Sequence, residues 1–135
     1  MRQSIIVPVC AALLLGGCAT PAIMGDLAVD VTDQDAADDP AIWRNGAGAA
    51  ASLIVATDKK GGLYVYDLAG REKSFLPAPG LNNVDLVELA DGTVLVAASD
   101  RADLARAHVY LARLDTGSGR LEPLGRIEIG AGEGY

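Results

Sequence analysis

A chain of 135 residues, half of them hydrophobic, can build one modest core but not several domains. Its net charge of −7 argues against a nucleic-acid partner and makes a polyanionic ligand awkward unless a cation sits between the two. With two cysteines, Cys10 and Cys18, the first inside an apolar leader, there is no disulfide framework.

Arg2 followed by the apolar run Ile5 to Leu15 has the layout of a secretory signal over residues 1–17, because a run of that length is too short to cross a bilayer core that needs about 20 residues. Leu15-Gly16-Gly17-Cys18 then resembles the bacterial lipobox, which makes Cys18 a lipidated mature N-terminus; an ordinary cleaved signal with an incidental cysteine is the alternative. Ala19 at the next position matches outer-membrane delivery in bacterial sorting patterns, so the expected location is the cell envelope, with a membrane lipid as one partner. Residues 18–34 read as a tether between the lipid and a domain spanning 35–135.

Between Asp26 and Asp39 stand six aspartates and no Lys or Arg. Such a run is either a solvated acidic linker or part of a site for a hard cation bound through carboxylate oxygens. It is not an EF-hand: counted from Asp33, the sixth position holds Asp38 where glycine is needed, and the twelfth holds Arg44 where a bidentate glutamate is needed.

From Asp38 onward, short apolar strands alternate with turn residues. Ala41 to Arg44, Ser52 to Thr57, Leu63 to Leu68 and Glu72 to Leu76 form one series. Asn83 to Leu89, Thr93 to Ser99, Val109 to Leu114 and Leu121 to Ile129 form a second, with turns at Asp91-Gly92 and Gly117-Ser118-Gly119. Ser52 to Lys59 is echoed by Thr93 to Arg101, whose closing Asp100-Arg101 lies 42 positions after Asp58-Lys59, and Asp39 is echoed 46 positions later by Asp85. A period in the forties with four strands per unit is the signature of propeller blades, so the expected fold is all-β: two four-stranded blades and the start of a third. Ala102 to Arg106 has room for one helical turn at most.

Innermost propeller strands line a channel, and the loops at one end form the binding face. Asp38, Asp39 and Asp85 stand at or within predicted innermost strands, and Asn82 and Asn83 are suitable oxygen donors beside them for a hard divalent ion. The competing reading is that Asp39-Pro40 and Asn82-Asn83 only form turns. Lys59, Lys60 and Arg101 occupy the same loop in successive repeats, either as ligands for phosphate oxygens on one face or as solvated charges. Trp43 is assigned to blade packing and His108 to no catalytic role. No nucleophile with a base, phosphate-cradling loop or cysteine metal site is visible.

Asp35-Ala36-Ala37-Asp38-Asp39-Pro40-Ala41-Ile42-Trp43, Thr57 to Leu68 and Leu81-Asn82-Asn83-Val84-Asp85-Leu86, in that order, resemble the β-propeller phytases, calcium-dependent phosphatases acting on inositol hexakisphosphate. The resemblance runs from about Asp35 to Tyr135 and implies a six-bladed propeller, of which this chain carries the N-terminal portion. It matches Lys59 and Lys60 to the family's lysine pair, Arg101 to its arginine in blade two, and Tyr135 to the tyrosine opening the third-blade motif. It matches Asp38 and Asp39 to the acidic pair of the calcium and catalytic centre. Asp38 and Tyr135 are thus the candidate catalytic residues, and Asp38, Asp39, Asn82, Asn83 and Asp85 the candidate Ca2+ ligands. Two departures stand out: Val87 where the family usually carries arginine, and Asp100 where asparagine is common.

The implied activity is metal-assisted hydrolysis of phytate phosphomonoesters. With the later blades missing, the chain itself is expected to be inactive and marginally folded unless it associates. The alternatives are a non-catalytic calcium- or partner-binding propeller fragment and another calcium-dependent propeller hydrolase such as a lactonase.

Overall fold

The computed structural model describes residues 37–131; the leader, the tether, Cys18 and Tyr135 lie outside the described residues. Eight strands follow one another: β1 (Ala37–Trp43), β2 (Leu53–Asp58), β3 (Gly62–Asp67), β4 (Glu72–Pro77), β5 (Leu81–Glu88), β6 (Val94–Asp100), β7 (Arg106–Asp115) and β8 (Arg120–Ala131). They form two four-stranded antiparallel meanders, β1-β2-β3-β4 and β5-β6-β7-β8. This is the all-β, two-blade architecture expected from the repeat.

The strands form where apolar residues alternate with polar or small ones. In β2 and β6 every second side chain is buried, which fixes the register because a one-residue slip would turn the whole set to the wrong face. Ala41, Leu53, Val55, Leu63 and Val65 of the first sheet meet Leu81, Val84, Val94, Val96, Ala98, Ala112 and Leu114 of the second in one core between the sheets. Trp43 packs against that core, and its Nε1 donates to Glu88 Oε2 at 3.0 Å, tying β1 to β5. At the opposite edge Ser74 Oγ donates to the Gly119 carbonyl at 2.6 Å. Among the described residues the outward faces carry exposed apolar side chains. Tyr64 stacks on Phe75 at 4.4 Å and Ile42 is exposed on one sheet, while Val87 and Ile127 are exposed on the other.

Three local details differ from the sequence expectation. β1 starts at Ala37, ahead of the expected Ala41, and takes in Asp39-Pro40, which the competing reading made a turn; β1 is an edge strand, where proline is tolerated. Ala102 to Arg106 makes no helical turn. Instead Asp103 Oδ1 accepts from Ala105 N at 2.9 Å, and Arg106 already belongs to β7. The one helical element among the described residues is a single 3-10 turn at Ala49–Ala51, after Asn45 Oδ1 has accepted from Ala47 N at 2.9 Å.

Candidate functional site at the seam between the blades

Each innermost strand carries a bulge at the same place. The β1–β2 register shifts between Ala37 and Pro40, and the β5–β6 register shifts between Asn82 and Val84. Pro40 pairs with Ala56 and Val84 with Ala98, so Asp38-Asp39 and Asn82-Asn83 are structural counterparts. Each bulge is held by a hydroxyl from the neighbouring strand. Thr57 Oγ1 donates to the Asp39 carbonyl at 3.3 Å and accepts from Asp39 N at 3.1 Å, and Ser99 Oγ donates to the Asn82 carbonyl at 2.6 Å. Asn83 adopts a left-handed φ of 43°, which asparagine tolerates better than most residues.

The echo between Asp39 and Asp85 is therefore displaced. Asp85 pairs with Ala97, just as Ala41 pairs with Val55, and its Oδ1 accepts from Leu86 N at 2.7 Å on an exposed stretch. Asn83, not Asp85, stands where Asp39 stands in the first blade.

The bulges bring Asp38 against the second blade. Its Oδ2 accepts from Asn83 N at 3.2 Å, and Lys59 Nζ lies 3.1 Å from its Oδ1. With its amide nitrogen turned inward, Asn82 donates to the same carboxylate. Burial by itself would raise the Asp38 pKa, but the Asn83 N–H, the Lys59 hydrogen bond and charge, and the Arg101 charge outweigh it and hold the carboxyl below its ordinary value. Asp38, Lys59, Asn82, Asn83 and Arg101 thus share one locality although they span 63 positions of sequence.

The two cationic loops are joined through the backbone of the connection between the blades. Gly80 N donates to the Lys59 carbonyl at 2.8 Å, and Arg101 N donates to the Gly80 carbonyl, also at 2.8 Å. Gly80 has φ +93°, and a Cβ there would stand 3.0 Å from Ala102 N, so glycine is required. Each loop is also closed by the aspartate that ends its strand. Asp58 Oδ1 accepts from Lys60 N at 2.8 Å and Gly61 N at 2.9 Å, and Asp100 Oδ1 accepts from Ala102 N at 2.9 Å. Asp100 is buried, and its added charge is met by Arg126 of β8, whose Nε donates to Oδ2 at 2.8 Å. Beside this loop lies a cleft of about 610 Å3 whose lining includes Asn82, Asn83, Arg101, Arg106 and His108.

Sequence reasoning missed Gly80, the bulge-holding hydroxyls and Arg126. The repeated Asp58-Lys59 and Asp100-Arg101 pairs were visible signals of two equivalent carboxylate-closed turns.

The described residues do not make up a calcium centre. A calcium ion takes six to eight oxygens, whereas Asp38 is met by an ammonium group and by amide hydrogens, and among the described residues no three Asp, Glu, His or Cys side chains gather to hold a metal.

The lowered Asp38 pKa has a consequence for acid stability. The contribution of this carboxylate is complete above the ordinary Asp value and is lost as pH falls through the lower folded value. A carbon-detected titration of Asp38 should show an inflection below that of an unperturbed Asp, moving upward in Lys59→Ala. An inflection at the ordinary position in the unsubstituted protein would refute the arrangement.

The family model "Phytase" matches residues 20–127. A 3-phytase of Bacillus subtilis (strain 168) is 34% identical over 93 residues, which is 67% of this chain and 24% of that protein. The chain thus spans about a quarter of the length of the curated relative it matches. With a match over most of its length, carried through both blades, the chain belongs to the phytase family.

Proposed function

We propose that the protein to which these blades belong hydrolyses phosphomonoesters of phytate in a calcium-dependent reaction, and that the seam described above is its phosphate-binding edge. The observation that carries this reading is the backbone link Lys59–Gly80–Arg101, which sets cations from two blades on either side of one glycine. A polyphosphorylated ring carries several anionic groups, and cations held at fixed separation recognise such a ligand better than mobile surface charges do. Lys59 has a second task, since it also neutralises Asp38.

In this reading Lys59 and Arg101 bind phosphate oxygens, with Lys60 beside them, while Asn82 and Asn83 orient Asp38. Calcium would supply charge neutralisation and an activated water. Oxygens additional to those of residues 37–131 are needed to hold it, and the chain by itself is proposed to bind without turnover. Tyr135 as a catalytic residue, Asp39 and Asp85 as metal ligands, and a lipid at Cys18 that places the protein at the bacterial cell envelope are further parts of the proposal.

Calorimetric titration of the chain with phytate, with and without calcium, tests it. Binding is expected without phosphate release, weakened about 10- to 100-fold by Lys59→Ala, because a lost charge-assisted contact is worth about 1.5–3 kcal/mol. Equal affinity in the variant, or no binding by the unsubstituted chain in either condition, would reject the phosphate-binding assignment.

A further inference from the structure

Asp100 ends β6 with its side chain 3% exposed, a position in which a carboxylate needs a compensating partner. That partner comes from two strands away. Arg126 of β8 pairs with Tyr110 of β7 and reaches past it, placing Nε 2.8 Å from Asp100 Oδ2, with Nη2 on the same oxygen. The other oxygen, Oδ1, accepts the Ala102 N–H at 2.9 Å. One carboxylate therefore connects an outer strand to the backbone on the far side of Arg101. On the near side, Arg101 N is bonded to the Gly80 carbonyl. The main chain is thus held immediately before and immediately after the Arg101 Cα.

The first blade shows what this arrangement replaces. Asp58, at the equivalent place, closes its turn on Lys60 N and Gly61 N but is only half-buried, so water solvates its charge. In the second blade burial withholds water, and the arginine supplies the compensating charge.

We propose that Arg126 is a positioning residue for Arg101: it holds and aims the buried Asp100 carboxylate, Asp100 closes the turn at Ala102, and the turn sets the Arg101 side chain at the seam beside Asp38. The functional part rests on the reading of Arg101 as a phosphate ligand. The positional part stands on the bonds alone.

The distinguishing experiment is a double-variant cycle. Asn at position 100 retains an oxygen for the Ala102 N–H and carries no charge, so it removes the need for the arginine. Arg126→Gln by itself is expected to accelerate amide exchange at Ala102 at least tenfold and to weaken phytate binding about tenfold, approaching Arg101→Ala. Added to Asp100→Asn, the same Arg126→Gln should change neither readout further. An effect of equal size in both backgrounds would overturn the proposal, since Arg126 would then act on the ligand or on the sheet as a whole. Unchanged exchange at Ala102 in the single variant would also overturn it. If Arg126→Gln alone does not fold, the double variant should fold and bind phytate like Asp100→Asn; failure of the double variant refutes the inference. Should the unsubstituted chain bind no phytate, the proposed function fails, while the exchange cycle still decides the positional role.

Discussion

Replacing Gly62 by alanine should severely destabilise both blades. Gly62 opens β3 at φ +143°, where an L-residue is strained by about 1–3 kcal/mol on backbone conformation alone. An added Cβ would also collide with the Leu76 carbonyl oxygen and stand 2.5 Å from Ala78 N. Both are main-chain atoms, so no rotamer change relieves the contact. Moving them means moving the end of β4 and the connection that leads to Gly80. We expect a total loss of about 4 kcal/mol or more, at the extreme of single-substitution effects. Gly46→Ala is the control: nothing lies within 4 Å of a Cβ there. Denaturant midpoints should separate the two variants widely, and equal midpoints would disprove the packing described for the β3–β4 pair.

Leu63→Ala should be the most damaging of the side-chain truncations. Leu63 is 0% exposed and sits in the core between the sheets. Removing three carbons from such a site costs about 2–5 kcal/mol, the transfer contribution plus that of the cavity left behind. Against a whole-domain stability of about 5–15 kcal/mol this is a large share. The thermal midpoint should fall by about 10 °C or more. Leu104→Ala, at a residue 58% exposed, should leave it nearly unchanged. A similar shift in both variants would mean that the core does not lie between the blades.

The positions of the strands were legible because burial on one face imposes a period of two. Val94 to Asp100 shows it residue by residue, and the turns at Asp91-Gly92 and Gly117-Ser118-Gly119 carry their own chemistry. The candidate site was legible only as a set of residue types. Asp38, Lys59, Asn82, Asn83 and Arg101 do converge, but matching like with like paired Asp39 with Asp85, whereas spatial equivalence follows the bulges and pairs it with Asn83. The bulges leave no composition signal, so matching aspartate to aspartate puts Asp39 opposite Asp85, two positions beyond the Asn83 that strand pairing makes its counterpart. Arg126 was invisible for a different reason. Its partner lies 26 residues away and across an intervening strand, and no local pattern encodes a diagonal reach.

Gly80 belongs to neither sheet, yet it bonds to the cation-bearing loop of each. The unit that repeats in the sequence and the unit that holds the candidate site together are consequently out of phase: a blade runs from one bulge to the end of its fourth strand, whereas the Lys59–Gly80–Arg101 joint is assembled from the second hairpin loop of two neighbours and the linker between them. Exchanging whole blades between relatives would preserve every hairpin and still sever this joint. A recombination boundary placed in the middle of a blade, for example within the Leu68 to Arg71 turn, would carry the joint intact. In this chain the unit that keeps Lys59, Gly80 and Arg101 bonded to one another is the junction rather than the blade.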